Sequence, residues 1–165
     1  MARNLKKSLV IIGILALACG GPAMHQPLIP EPMPKDSAKR LLAEARSHLG
    51  EPYKYGGASG QGWDCSGFVR TMYSRSLGIE LPRKARDMFA RSAPVPPAKR
   101  RAGDLIFFQI DSQKPSHVGI YMWGDKFIHV SISDGVVISS LGDPYYSQNF
   151  VGVHRLTPET VAISR

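Results

Sequence analysis

Cysteine is scarce, with only Cys19 and Cys65 in 165 residues. Two cannot supply the several bridges of a disulfide-framed miniprotein, and neither has a second Cys nearby in zinc-knuckle spacing. Glycine and proline, 16 and 13 residues, stay under the roughly 25–30% that marks disordered or fibrous chains. Long apolar runs are missing as well: the stretch Leu9 to Ala18 is about half of the roughly 20 residues that a membrane-crossing helix needs. What remains, with 43% hydrophobic and 21% charged residues, is a chain for one domain with its own core, too short for two of ordinary size.

Arg3, Lys6 and Lys7 precede the apolar stretch, so residues 1–18 read as a signal peptide. It ends in Ala16-Leu17-Ala18-Cys19-Gly20, which resembles the bacterial lipobox, at which the Cys is lipidated and becomes the new N-terminus. A plain secretory cleavage is the competing reading. Lipid on Cys19 would anchor the chain firmly to a membrane outside the cytoplasm. Gly20 in place of Asp favours, by the same resemblance, the periplasmic side of the outer membrane, or the outer face of the cell membrane where only one exists. A Cys19–Cys65 disulfide is open in such a compartment. Lipidation would instead consume Cys19 and leave Cys65 as an odd, reactive thiol. Residues 19–35 follow as a tether punctuated by Pro22, Pro27, Pro30, Pro32 and Pro34, semi-extended and without apolar periodicity.

The domain is expected over residues 36–165. Asp36 or Ser37 caps a first helix whose Leu41, Leu42, Ala45 and Leu49 share a face and which stops at Gly50-Glu51-Pro52. After a Gly-rich loop from Gly56 to Gly62, Asp64 caps a second helix burying Phe68, Val69, Met72 and Tyr73 and ending at Gly78. From Asp104 the pattern turns to strands: 105–109, 118–122, 127–132, 136–140 and 150–156, with Gly124-Asp125 and Asp134-Gly135 as turns. Helices followed by an antiparallel meander define an α+β fold.

The stretch 83–101 gathers Arg83, Lys84, Arg86, Arg91, Lys99, Arg100 and Arg101 against Asp87 alone. It suits an anionic polymer or lipid headgroups, or is a solvated basic loop. Nucleic acid is not expected as a partner, because the chain is exported and only Phe89 interleaves the basic residues.

Cys65 falls in the first turn of the second helix, where the dipole and free N–H groups lower a thiol pKa and face a developing oxyanion. His25, His48 and His154 have surface or capping explanations. His117 and His129 alternate with the apolar sets Val118, Ile120, Met122 and Ile128, Val130, Ile132. For both sets to share the core face, an odd-numbered connection such as Trp123-Gly124-Asp125 must pair Met122 with Lys126 and Gly119 with His129. His117 then lies diagonal to His129, within reach of ring side chains. Gly119 leaves room for a close approach, for which the Cys65 helix is the candidate. Cys65 reads as nucleophile, His117 as base and His129 as the residue orienting it. Cys-His-His as three zinc ligands stays open.

Asp64-Cys65-Ser66-Gly67-Phe68-Val69, with Pro52-Tyr53 and Gly56-Gly57 before it, resembles the NlpC-type papain-like cysteine peptidases of bacterial cell walls. So do Leu81-Pro82-Arg83, Gly103-Asp104-Leu105-Ile106-Phe107-Phe108, Ser116-His117-Val118-Gly119-Ile120-Tyr121 and Phe127-Ile128-His129, in order across residues 38–156. The resemblance implies a papain-like α+β fold with a five- to six-stranded antiparallel sheet, acting as a monomer without cofactor. It implies amide hydrolysis in peptidoglycan stem peptides, with Cys65, His117 and His129 catalytic and Tyr53, Asp64, Ser66 and Arg83 lining the substrate site. Ala85 and Met88 depart from the hydroxyl residue and Gln frequent in the family. The bond cut is accordingly either γ-D-glutamyl to diamino acid or the D-alanyl to diaminopimelate crosslink. A non-catalytic wall-binding adaptor, or a thiol acyltransferase or amidase on the same fold, is the alternative.

Overall fold

In a computed structural model, residues 31–110 and 112–157 are described. The signal peptide, Cys19, His25 and the tether up to Pro30 lie outside them. Helix α1 spans Lys35–Ser47 and buries Ala38, Leu41, Leu42 and Ala45. It starts before the expected caps: Pro34 is the N-cap residue, no side chain caps the helix, and Asp36 sits in its first turn. Leu49 is 45% exposed, because the helix has already ended at His48 and the 3.6-residue periodicity no longer applies to it. A short hairpin, β1 (Ala58–Ser59) and β2 (Gly62–Trp63), precedes α2 at Cys65–Leu77.

Helix α2 follows the sequence reading closely. Asp64 caps it by accepting from the Gly67 N–H at 2.7 Å, and Gly78 ends it in the left-handed conformation, φ 66°. Phe68, Val69 and Met72 are fully buried, each contributing about 1.5–3 kcal/mol of apolar burial. Gly67 is required by a close approach, since a Cβ there would meet the Gly57 carbonyl oxygen at 2.2 Å. That carbonyl accepts the Asp64 N–H at 3.0 Å, so the glycine loop clamps the start of the helix.

Beyond α2 come α3 (Ala85–Ala90), β3 (Ser92–Pro94) and a 3-10 turn at Pro97–Lys99. The central strands are β4 (Leu105–Phe108), β5 (His117–Trp123), β6 (Lys126–Ser131) and β7 (Gly135–Ser140). Helix α4 (Pro144–Gln148) and β8 (Phe150–Leu156) complete the chain. The sheet has six antiparallel strands in the order β3-β8-β4-β5-β6-β7. One face packs Leu105, Phe107, Val118, Ile120, Ile128 and Val130 against α1 and α2. The other face packs Ile106, Phe108, Tyr121, Phe127 and Val153 against Tyr146 and Phe150.

Strands β5 and β6 adopt the expected register, Ile120 opposite Ile128 and Tyr121 opposite Phe127. The connection differs. Trp123 pairs with Lys126, leaving only Gly124-Asp125 as the turn, and a bulge between Tyr121 and Trp123 absorbs the extra residue. A bulge shifts the register by one, so a two-residue turn still leaves both histidines on one face. Gly119 also serves a different purpose from the expected one. A Cβ there would meet the Ile128 carbonyl oxygen at 2.8 Å and His129 Cβ at 3.0 Å, so the space is taken by strand β6 and not by the Cys65 helix.

Buried polar groups brace the scaffold. Arg155 donates to Asp104 through Nε at 2.7 Å and Nη2 at 2.9 Å, and also to the Lys99 carbonyl at 2.9 Å. Asp104 in turn accepts the Arg101 N–H at 2.8 Å. The Tyr73 hydroxyl donates to the neighbouring Gly103 carbonyl. Among the described residues no helix is long and apolar enough to cross a membrane.

Candidate active site

A cavity of about 580 Å³ is lined by Cys65 and His117 together with Tyr53, Asp64, Ser66 and Arg83. Residues from the N-terminus of α2, the start of β5 and the loops around them thus converge. Cys65 is a free thiol. Its Sγ lies 3.9 Å from the Ser116 carbonyl oxygen, which joins the helix start to the strand carrying His117.

The ionic state of the thiol differs from expectation. Burial pushes Cys65 up and the Asp64 carboxylate adds to this, while the N–H groups of Val118, Ser66 and Cys65 itself act in the opposite sense. The helix-terminal N–H groups therefore favour the thiolate without overcoming desolvation. Burial lowers His117 to about 4, so the ring is neutral and available to accept a proton.

His117 Nε2 lies 2.9 Å from His129 Nδ1, the two rings standing nearly perpendicular at 82°. His129 is fully buried, and burial, with the charge His117 would carry, lowers it to about 3. Phe127 and Tyr146 pack on its ring at 4.9 and 5.1 Å between centroids. Its Nε2 lies 2.9 Å from Ser139 Oγ, so both ring nitrogens have partners. A zinc site would need the single lone pair of that neutral ring, and among the described residues no group of His, Cys, Asp and Glu is arranged to hold a metal.

Asp64 does more than cap. Arg83 grips its carboxylate with both guanidinium nitrogens, at 3.0 and 2.5 Å, and also donates to Ser66 Oγ at 3.0 Å. Burial raises the Asp64 pKa, but Arg83 and the Gly67 N–H outweigh it and hold the group below the usual carboxylate range. Asp64, Ser66 and Arg83 thus form one rigid wall of the cavity. Ala85 lines the cavity too, whereas Met88 is fully buried in the core. Of the basic stretch, Lys84 lines the cavity beside Arg83, whereas Arg86 meets Asp87 at 3.6 Å and Arg100 lies over the Phe150 ring at 5.3 Å.

His48 and His154 have structural partners. His48 bonds Glu51 at 2.8 Å and lies against Trp63, while His154 stacks on Phe89 and contacts Ser92 Oγ at 3.2 Å. Ser139 is the residue that sequence reasoning missed. His129 pairs with Val137, so Ser139 sits diagonal to it, as His117 does across the other hairpin. The diagonal rule applied once more would have found it.

A thiol on the first turn of a helix that packs against an antiparallel sheet, sharing its cavity with a strand histidine tied to a second polar ring, defines a papain-like fold and site. The chain belongs to the NlpC/P60 family, whose family model matches residues 50–155. It is 35% identical over 150 residues to the probable endopeptidase NlpC of Escherichia coli, covering 88% of this chain and 97% of that protein. It is also 35% identical over 121 residues to the murein DD-endopeptidase MepS/murein LD-carboxypeptidase of the same species, covering 73% of this chain. That match spans 64% of the relative's length. Among solved structures, an NLP/P60-family protein of Staphylococcus aureus, described as similar to lipoprotein, superposes with a TM-score of 0.71 at 31% identity. It covers 77% of this chain and 43% of that one.

Proposed function

We propose that this chain is a cysteine endopeptidase that hydrolyses an amide bond in peptidoglycan stem peptides. The observation that carries the reading is the shared cavity of Cys65 and His117, with His117 Nε2 held by His129. That bond leaves Nδ1 of His117 as the nitrogen free for proton transfer. The ring takes the Cys65 proton as sulfur attacks the scissile carbonyl carbon, and the oxyanion forms near the N–H groups at the start of α2. The proton then passes to the leaving amine, the C–N bond breaks, and a thioester remains on Cys65. Water, deprotonated by His117, attacks the thioester, releasing the carboxylic acid and returning the proton to sulfur.

Digestion of purified peptidoglycan, with mass spectrometry of the fragments, tests this. Cleavage between D-glutamate and the diamino acid, or at the D-alanyl to diaminopimelate crosslink, would appear as different fragment masses. Absence of any fragment from folded protein would favour a wall-binding adaptor, and transfer of an acyl group to an amine in place of water would favour an acyltransferase.

Because burial lowers His117 to about 4 from an ordinary value of 6.5, its basic form persists far into acid. The acid limb of kcat/KM on a soluble muropeptide is therefore expected near pH 4, as this profile reports the free enzyme. A limb near pH 6.5 would contradict the burial argument.

The reading also has Cys19 lipidated, which holds the domain at a membrane within reach of the wall. Cys19→Ala should move the protein from the membrane fraction to the soluble one. Its persistence in the membrane pellet after a salt wash would argue against a lipid anchor.

A further inference from the structure

The hydrogen-bonded chain from the cavity does not stop at the second histidine. Its direction is fixed by tautomer chemistry, since a neutral imidazole carries one proton and one lone pair. For His117 to accept a proton at Nδ1, its own hydrogen must sit on Nε2, from which it donates to His129 Nδ1 over 2.9 Å. His129 Nδ1 must then be bare, so the single His129 proton sits on Nε2 and requires an acceptor. Ser139 Oγ stands 2.9 Å from that nitrogen.

We propose that Ser139 is a positioning residue that selects the tautomer of His129 and, through it, decides which nitrogen of His117 is basic. The inference rests on the reading of His117 as base. Its error would be directional. Without the Ser139 hydroxyl, His129 can carry its proton on Nδ1, where it donates to His117 Nε2 and moves the His117 proton to Nδ1. His117 is then blocked at the nitrogen that must accept. Ser139 also has to present a lone pair to His129, so its own hydrogen must point elsewhere. The Tyr146 ring meanwhile packs on His129 at 5.1 Å, and Phe127 flanks it at 4.9 Å, so the plane of His129 is fixed by packing.

The test combines a spectroscopic and a kinetic readout. In the Cys65→Ala chain, nitrogen NMR of the histidine rings should show His129 protonated at Nε2, and Ser139→Ala should convert a measurable share to the Nδ1 form. In the chain with its thiol, Ser139→Ala should lower kcat on a soluble muropeptide by about ten- to a hundredfold, with KM changed less than about twofold. Ser139→Thr keeps the hydroxyl and should restore most of kcat. A wild-type kcat in Ser139→Ala overturns the proposal. So does a lowered kcat with an unchanged His129 tautomer, or a loss that Thr does not rescue. Failure of the underlying reading looks different: hydrolysis would continue undiminished in the Cys65→Ala chain, and the tautomer measurement would then decide the role of Ser139 alone.

Discussion

Under the proposed mechanism, Cys65→Ala is expected to lower kcat for peptidoglycan hydrolysis by at least about 10⁴-fold, because no neighbouring group can replace the sulfur in forming the acyl intermediate. Serine hydroxyls are present nearby, but Ser66 accepts from Arg83 and donates to Asp64, and Ser116 Oγ is bound to the backbone of Ile110. Neither stands where the thiol does. Stability should change little, within about 1 kcal/mol, since the thiol's contact with the Ser116 carbonyl is long, at 3.9 Å, and its sulfur is a weak hydrogen-bonding group. Fragment release by mass spectrometry, beside a thermal melt, checks both halves. Hydrolysis within tenfold of the unmodified chain would remove Cys65 from the chemistry.

The second large effect is on the fold. Asp104→Ala strips the buried Arg155 of its carboxylate while leaving the guanidinium in place, with the two side chains only 4% and 8% exposed. Removing one member of such a pair costs roughly 3–5 kcal/mol, because the surviving charge stays desolvated. For a domain of this size the melting temperature should fall by on the order of 10–20 °C. Asp104→Asn, which keeps an acceptor for the Arg155 and Arg101 donors, should lose less. A melting temperature unchanged in Asp104→Ala would show that Arg155 finds equivalent partners without the pair.

The features legible in the sequence are those written locally. Helix α2 carries its start in Asp64, its apolar face in Phe68, Val69 and Met72, and its stop in Gly78. The alternation around His117 and His129 was enough to fix both the face and the register. The bulge beside Met122 left no mark, because one extra residue near a turn does not disturb the alternation on either side of it. Helix α3 and strand β3 are too short to build a period, so nothing announced them. The ionic state of Cys65 was misjudged for a related reason. The helix terminus is visible in the sequence, whereas the desolvation that opposes it comes from residues far away along the chain. Ser139 was missed because a lone serine in a strand gives no sign until the adjacent pairing is followed as well.

The contact between the Cys65 sulfur and the Ser116 carbonyl joins residues 51 positions apart. The proposed nucleophile rides on a helix and the histidine pair on a hairpin, two units whose own formation relies on neighbours in sequence. Only the docking of one on the other creates a reactive centre. A loosened form of the chain could thus keep its helices and strands and still be harmless to the bonds it meets. Loss of turnover on gentle destabilisation should precede loss of secondary structure, making enzymatic competence a late and sensitive report of finished folding.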